Sequence, residues 1–430
     1  MAEPWQKGDR GVVDVGRMAY GPHAVARHQG FVLFVRGAAP GERVEVVVRE
    51  RRRHHAFADV VRIERPSPRR RQTPCPIAGQ CGGCPWQHLS YDLQLEAKRE
   101  IVADHLARIA GLVVDVEPVE PSPRVFGYRH RIKLRTESKR LGFYAGGTHD
   151  LVQVAHCALA ETEVNAMIAT AERLVRLLAC KVRRLEIIAK RGADGATFLV
   201  GEVEGAWLDV DGERARSWLD HNPNCVGLVL RGRGWERRWG DTSTSIAPER
   251  SLTLEGDAAG FSQVNALGNE RLVATVLRML GDLSGARVLE AYAGAGNFSA
   301  PMVMRGASVV AVEQSLPACR SARGNAAAFG DRWIVEPGRV RDVLERLSSR
   351  GEQFDALVLD PPRNGADDAI PAILRLRPPR IVYVSCDPAT LARDLKNLSA
   401  AYRVAGVQPV DMFPHTYHVE TVVRCDRLPG

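Results

Sequence analysis

At 430 residues the chain is long enough for two or three domains with cores of their own. Its 45% hydrophobic and 26% charged content is that of an ordinary globular protein, and no apolar run approaches membrane-spanning length. The first residues lack a basic-then-apolar signal pattern, so the expected compartment is the cytoplasm, where nine cysteines point to metal binding or catalysis and not to disulfides. The net charge of +8 is unevenly placed: residues 1–75 hold fifteen Lys and Arg against eight acids, a net of +7, and the rest is nearly neutral. A basic head on a neutral body predicts a polyanion partner, most simply nucleic acid.

Residues 8–65 carry short apolar or β-branched runs at 11–15, 31–35, 43–48 and 58–63, separated by turn clusters such as Tyr20-Gly21-Pro22. About five short strands in such a span predict a small OB-type β-barrel, a fold used for oligonucleotides. Arg51, Arg52, Arg53 and His54 fall on a hairpin, placed to grip phosphates. A Pro- and Arg-rich linker follows at 65–76, then Cys75-x5-Cys81-x2-Cys84 with glycines at 79, 82 and 83; the next cysteine is Cys157. Four thiolates suit a [4Fe–4S] cluster or structural zinc, and the spacing does not choose between them.

Residues 90–110 predict an amphipathic helix, with Leu95, Val102, Leu106 and Ile109 on one face and Gly111 as its stop. From 125 to about 250 the pattern alternates apolar and polar between turns, with one helix at 161–178, which predicts a mostly antiparallel sheet with helices. Its basic strand, Arg129, His130, Arg131 and Lys133 with Arg124 ahead of it, is read as a solvated face that could also touch RNA.

From about 251 strands and helices alternate. A strand at 287–292 runs into Ala293-Gly294-Ala295-Gly296-Asn297-Phe298, and a second strand at 309–312 closes on Glu313. Strand, glycine loop, helix, strand and acid is the nucleotide-binding βαβ arrangement. With two glycines and no third the loop is a poor pyrophosphate cradle, which favours S-adenosylmethionine (AdoMet) over a dinucleotide. A strand at 354–359 ends in Asp360-Pro361-Pro362-Arg363, and Arg380–Ser385 is a buried strand that breaks at Cys386-Asp387-Pro388 before a helix. Two more strands are expected, at about 404–412 and 416–425. Cys386 thus lies at a strand's carboxyl end, the edge where open α/β sheets bind ligands, and a helix start beyond it would favour the thiolate. From this stretch alone a buried structural cysteine is an equal alternative.

Taken together, F-S-Q-V-N at 261–265, L-E-A-Y-A-G-A-G-N-F, D-P-P-R, S-C-D-P-A-T-L-A-R-D and D-M-F-P-H-T-Y-H-V-E-T resemble the RNA uracil-C5 methyltransferases, AdoMet-dependent enzymes that make 5-methyluridine. The resemblance spans nearly the whole chain and is nearest to the bacterial subgroup with a TRAM barrel and a [4Fe–4S] cluster that modifies 23S ribosomal RNA. It implies an α/β fold: a Rossmann-like methyltransferase domain at 251–430, preceded by a TRAM barrel at 1–66 and a mixed α+β, cluster-bearing domain at 67–250. It implies Cys386 as nucleophile, Glu420 as general base, Gln263, Tyr292, Asn297, Glu313 and Asp360 as AdoMet contacts, and Cys75, Cys81, Cys84 and Cys157 as cluster ligands. It implies RNA as partner; no membrane and no obligate protein partner are expected from the sequence, and a monomer is the default. The chain departs from the family at Ala293, where Cys is common, at Asp387, where Asn is usual, and at Gly338-Arg339, which offers no Asp or Asn to an adenine edge.

Such chemistry needs these groups. Uracil C5 is a weak nucleophile until a thiolate adds to C6, and a base must then remove the C5 proton before the thiolate can leave. The target base must be unstacked to be reached, which gives the RNA-holding modules a purpose. Three alternatives remain: a transfer RNA substrate; methylation of another atom, such as cytosine C5 or an adenine amino group, the latter disfavoured because Arg363 follows D-P-P where amino-methylating enzymes carry an aromatic residue to stack the base; and a non-catalytic RNA-binding assembly factor.

Overall fold

The computed structural model describes residues 5–190, 195–257 and 260–429. Five strands close a barrel in the order β1-β2-β3-β5-β4: β1 (Arg10–Met18), β2 (His23–His28), β3 (Phe31–Arg36), β4 (Arg43–Arg51) and β5 (His55–Arg65). Alternation fills it, with Val44, Val46 and Val48 of β4 pointing inward beside Leu33, Val35, Ala56 and Ala58. The β2–β3 hairpin turns through Gln29 and Gly30, both at positive φ as a type I′ turn requires. Strand β2 is not legible in the sequence because its Ala, His and Arg content lacks the usual apolar run.

Helix α1 (Tyr91–His105) continues as one π-helical turn over 106–110 and stops at Gly111, in the left-handed region at φ 71°. Its buried residues differ from the expected stripe: Leu93, Ala97, Ile101, Val102 and Leu106 are covered, whereas Ile109 is 38% exposed. Leu93, Ala97 and Ile101 join the barrel core, while Val102 and Leu106 join the core of the C-terminal sheet. The helix is therefore a wedge shared by two cores, which fixes one against the other.

The middle of the chain forms a seven-stranded sheet in the order β12-β11-β10-β9-β6-β7-β8. Its elements are β6 (Arg131–Glu137), β7 (Arg140–Tyr144), β8 (Leu151–Gln153), α2 (Thr162–Leu177), β9 (Lys181–Ala189), β10 (Thr197–Glu204), α3 (Asp209–Asp220), β11 (Cys225–Gly232) and β12 (Trp235–Gly240). All neighbours pair antiparallel except β10 with β11, and α2 buries Val164, Ile168, Ala171 and Leu174 against the sheet. A separate hairpin, β13 (Ser243–Glu249) and β14 (Leu252–Asp257), packs on the helices that follow.

The C-terminal sheet is built from α4 (Ala266–Leu280), β15 (Arg287–Ala291), α5 (Ser299–Met304), β16 (Ser308–Glu313), α6 (Leu316–Ala326), β17 (Trp333–Pro337), α7 (Val340–Ser349), β18 (Ala356–Leu359), α8 (Ile370–Leu376), β19 (Arg380–Ser385), α9 (Pro388–Leu398), β20 (Tyr402–Val410) and β21 (Glu420–Arg427). The order is β17-β16-β15-β18-β19-β21-β20, parallel from β17 to β19, with β21 antiparallel between β19 and β20. The chain leaves β15 one way to β16 and β17 and returns to β18 on its other side, so a binding crevice opens at the carboxyl ends of β15 and β18. The last expected strand begins later than its apolar content suggested: residues 411–419 are a loop. Among the described residues no helix is long and apolar enough to cross a membrane.

Candidate active site

Strand pairing brings Cys386 and Glu420 together. Ser385 of β19 faces Thr421 of β21 in antiparallel register, so the next residues outward, Cys386 and Glu420, lie opposite one another. Asp360 follows β18, the parallel neighbour of β19. Burial, then the nearby Asp360 charge, raises the Glu420 carboxyl to about 8. Burial alone raises Asp360 to about 7, and no hydrogen bond from the described residues offsets the shift of either carboxyl. Burial and the Glu420 charge push the Cys386 thiol to about 12, while Arg363 lowers both Cys386 and Glu420. The helix start does not favour the thiolate as expected. Asp387 Oδ1 already accepts the first amides of α9, Ala389 and Thr390, each at 3.0 Å, so a carboxylate satisfies the positive end of the helix. Arg363, set aside in the sequence as the wrong residue for stacking a base, is the cation of this acidic corner. Its visible signal was its position directly after a strand-end acid and two prolines.

The rest of S-C-D-P-A-T-L-A-R-D holds the neighbouring loop. Buried Asp394 accepts from the Tyr383 hydroxyl (2.6 Å) and the Ala366 amide (2.7 Å), and Arg393 donates to the Asn364 carbonyl (2.8 Å). The segment carrying Arg363 is thereby pinned to α9.

At the crevice, Tyr292 adopts φ 65° just past β15, a strained conformation for a bulky residue at a ligand-facing turn. Gly294 has φ 58°, and a Cβ there would meet nothing within 4 Å, so backbone faces open space. Glu313 ties the loop to β16, accepting from the Gly294 amide (2.9 Å) and the Ser315 amide (2.6 Å). Asn297 exchanges hydrogen bonds with Asn269 of α4 (2.8 and 3.0 Å), so part of its amide is committed to the protein. Gln263 lies on an extended segment fixed at both ends: Arg131 donates to the Gly260 carbonyl and Ser262 Oγ (3.0 Å each), and Asn265 donates to the Met412 carbonyl (3.1 Å). These residues fit AdoMet: an open glycine turn, an acid at the second strand's end, and at the fourth a half-buried acid with no donor among the described residues. The basic strand is solvated only in part: Arg124 and Lys133 are exposed, whereas Arg131 is covered and pairs, as Lys133 also does, with Glu186, and Arg129 packs on Tyr128 and Phe413.

The D-M-F-P-H-T-Y-H loop rests on a polar network that sequence reasoning missed. Lys98 of α1, fully buried, donates to Asp411 Oδ1 (2.6 Å) and the Phe413 carbonyl (3.1 Å), and the Tyr91 hydroxyl donates to Asp411 Oδ2 (2.9 Å). Gln94 accepts from the His415 amide (2.7 Å) and meets His415 Nδ1 (3.1 Å), while the ring stacks on Phe126 at 4.3 Å. His415 sits at φ 68°. Burial lowers both His415 and His418 to about 4, so each is a neutral, weak base. The one sequence signal for this network was a lysine at position 98 inside an apolar helical stripe.

The four cysteines converge from two segments. The loop of Cys81 pairs with the β7 end, the Gly82 amide donating to the Tyr144 carbonyl (2.9 Å), and the turn of Cys157 is held by Asn165 of α2. Burial, then the Cys157 thiol, pushes Cys84 to about 12. Among the described residues no group of three or more His, Cys, Asp or Glu closes to metal-holding geometry. The donor chemistry, four partly buried thiols with the Gly83 amide pointing at Cys81 Sγ (3.4 Å), fits a thiolate-held group, but the ligand set itself is not closed.

On the barrel the predicted hairpin forms, yet many of its cations are engaged. Asp59 takes both Arg36 and Arg49 (2.8 Å each), Arg52 pairs with Glu50 (2.5 Å), and Arg51 stacks on Phe31 at 4.9 Å. Arg53 and His54 stay exposed. A cleft of about 1540 Å³ runs between the barrel (His23, Phe57), the cysteine loop and Tyr144, and reaches Tyr417 of the 411–419 loop.

A family model described as tRNA (Uracil-5-)-methyltransferase matches residues 339–427, and a TRAM domain model matches residues 4–61. A 23S rRNA (uracil(1939)-C(5))-methyltransferase of Shewanella amazonensis is 34% identical over 406 residues, 92% of this chain and 91% of that protein. An uncharacterized RNA methyltransferase of Synechocystis sp. is 33% identical over 99% of this chain and 97% of its own length. Among solved structures, the Pyrococcus abyssi tRNA (uracil-54, C5)-methyltransferase in complex with S-adenosyl-L-homocysteine aligns with a TM-score of 0.73 at 26% identity, covering 97% of this chain and 100% of that one. Fold, crevice and relatives agree: the chain belongs to the RNA uracil-C5 methyltransferase family and is an AdoMet-dependent RNA (uracil-C5)-methyltransferase with an N-terminal TRAM domain.

Proposed function

We propose that the enzyme methylates C5 of one uridine in 23S ribosomal RNA, with Cys386 as nucleophile and Glu420 as base. The observation that carries the residue roles is the β19–β21 register, which sets the thiol opposite a buried carboxylate. Cys386 releases its thiol proton to solvent and Sγ bonds to C6 of the flipped uracil; C5 of the resulting enolate is methylated, ionised Glu420 takes the C5 proton, and the C6–Sγ bond breaks to return Cys386 as the thiolate. Burial makes Glu420, once ionised, a stronger base than an ordinary carboxylate, although the resting group is mostly protonated at neutral pH and acts in the reaction only after losing that proton. Arg363 favours the negative charge that forms as the thiol ionises. Gln263, Tyr292, Asn297, Glu313 and Asp360 hold AdoMet, which when bound supplies the methyl group and a positive sulfonium centre. His415 and His418 remain scaffold.

Three modules serve this reaction: residues 1–66 grip RNA, 67–250 position it, and 251–430 carry the chemistry. The cleft between barrel and cysteine loop leads an unpaired strand to Tyr417. A ribosomal RNA substrate places the enzyme in the cytoplasm. Cys75, Cys81, Cys84 and Cys157 hold a [4Fe–4S] cluster with a structural role, joining the 75–84 loop to the turn at 157. The ribosomal substrate is favoured over transfer RNA by sequence identity: a second 23S rRNA (uracil(1939)-C(5))-methyltransferase, from Thiobacillus denitrificans, is 34% identical over 97% of this chain and 99% of its own, against 26% for the equally co-extensive tRNA enzyme of Pyrococcus abyssi. Comparing 5-methyluridine maps of 23S ribosomal and transfer RNA from cells with and without the gene tests the assignment. One uridine left unmethylated in 23S RNA is expected; a change confined to transfer RNA refutes it.

A further inference from the structure

The half-buried turn between β1 and β2 packs against the catalytic loops. Tyr20, in that turn, donates its hydroxyl to the backbone carbonyl of Cys386 at 3.3 Å and lies 3.5 Å from Asp387 Oδ2. Its ring is held edge-on by Tyr417 (5.4 Å between centroids) and by His105 of α1 (5.7 Å). Fully buried Trp86 ties the same turn to the second catalytic loop, with Nε1 donating to the Gly21 carbonyl (2.9 Å) and its backbone amide donating to the His415 carbonyl (3.1 Å). Both loops that carry the reacting groups are thus anchored to one turn of the RNA-binding barrel.

We propose that Tyr20 is a positioning residue for the methyl-transfer reaction, its hydroxyl fixing the Cys386–Asp387 backbone so that the thiol stays opposite Glu420. The inference rests on the reading of Cys386 as nucleophile. The contacts argue for this role over an RNA contact, because both partners of the hydroxyl are protein atoms and the ring is flanked on two sides. Asp387 supports the division of labour. One of its oxygens caps α9 and the other faces Tyr20, so the residue joins helix, nucleophile and barrel. Burial and the Asp387 and Cys386 charges push the phenol well above its usual range, so it stays a donor. Since α1 buries one side in the barrel core and the other in the C-terminal core, the distance between turn and loop is fixed by packing. The barrel therefore sets the rate of the reaction as well as the affinity for RNA.

The test is Tyr20→Phe in the full-length protein, which removes the hydroxyl and keeps the ring. 23S ribosomal and transfer RNA transcripts made with 5-fluorouridine trap the Cys386 adduct, so its single-turnover rate is read at saturating RNA and AdoMet beside the RNA dissociation constant and the melting temperature. A net hydrogen bond of ordinary strength predicts a rate lower by roughly 3- to 10-fold, with RNA affinity within about twofold of the parent and melting lowered by no more than about 5 °C. Arg53→Ala, on the exposed hairpin, is expected to do the reverse, weakening RNA binding while the saturating rate holds. An unchanged saturating rate for Tyr20→Phe overturns the proposal, as does a defect confined to RNA affinity, which would make Tyr20 an RNA contact. Failure of the parent enzyme to form an adduct with either RNA would instead overturn the nucleophile assignment itself, and this inference with it.

Discussion

Replacing Glu420 with glutamine separates the protonation physics of the site from its chemistry. Glu420 is 4% exposed, and its carboxyl is raised to about 8 from an ordinary 4.5. Because the folded value lies above the unfolded one, the fold holds a proton there that the unfolded chain has released. The stability from that protonated form is fully present below about pH 4.5 and is lost as pH rises through about 8. Integrated to pH 7, the loss is at most about 3 kcal/mol. Glutamine keeps the shape and has no proton to lose. The variant should match the parent near pH 4.5 and exceed it by about 1–3 kcal/mol at pH 7, roughly 2–4 °C in melting temperature per kcal/mol for a unit of this size. Unfolding of both proteins followed from pH 5 to 8.5 reads the difference. A variant less stable at pH 7, or a gap that does not widen with pH, would mean that Glu420 is ionised in the resting enzyme. The same variant should methylate once and stall, giving on a denaturing gel a retarded protein–RNA band that carries label from the AdoMet methyl. If RNA binds normally but the adduct is absent or unlabelled, another group is the base, and His415 and His418 are poor replacements at about 4.

Cys386→Ala should bind RNA and AdoMet with parental affinity yet form no adduct and transfer no methyl group; residual 5-methyluridine synthesis would remove Cys386 from the reaction. Anaerobically purified protein should be brown and bleach in air, and stoichiometric zinc without iron would replace the cluster with a structural metal. Cys81→Ser should lower stability, and a folded but wholly inactive variant would show that the cysteines do more than tie two segments together. Because α1 shares its apolar side with the barrel, charge removal tests the RNA grip more cleanly than truncation. Arg27→Ala with Arg53→Ala should reduce the slope of log affinity against log salt by about one unit for each phosphate no longer neutralised, with AdoMet binding unchanged. Lys98→Met should cost about 3 kcal/mol by leaving Asp411 buried without its cation, and parental stability would show the network to be dispensable.

Local signals determined much of this protein without any tertiary information. Four of the five barrel strands follow from short apolar runs between turns, the crevice from a strand that breaks into Gly294 and Gly296, and the placement of Cys386 from an apolar strand ended by Asp387-Pro388. These are properties of neighbouring residues, and neighbours are what a sequence displays. The folded chain decided the rest. Strand β21 inserts antiparallel beside β19, and only that register sets Cys386 against Glu420. Helix α1, read as one apolar stripe, divides its buried residues between two cores and sends Lys98 to Asp411. Tyr20, legible in the sequence only as part of a turn, meets the carbonyl of Cys386. The chemistry of the site belongs to this second class as well: helix composition pointed to a thiolate, but Asp387 occupies the helix start and burial drives the thiol to about 12. Ionisation in a folded protein is set by the summed burial and charge of groups far apart in sequence, which no local pattern records.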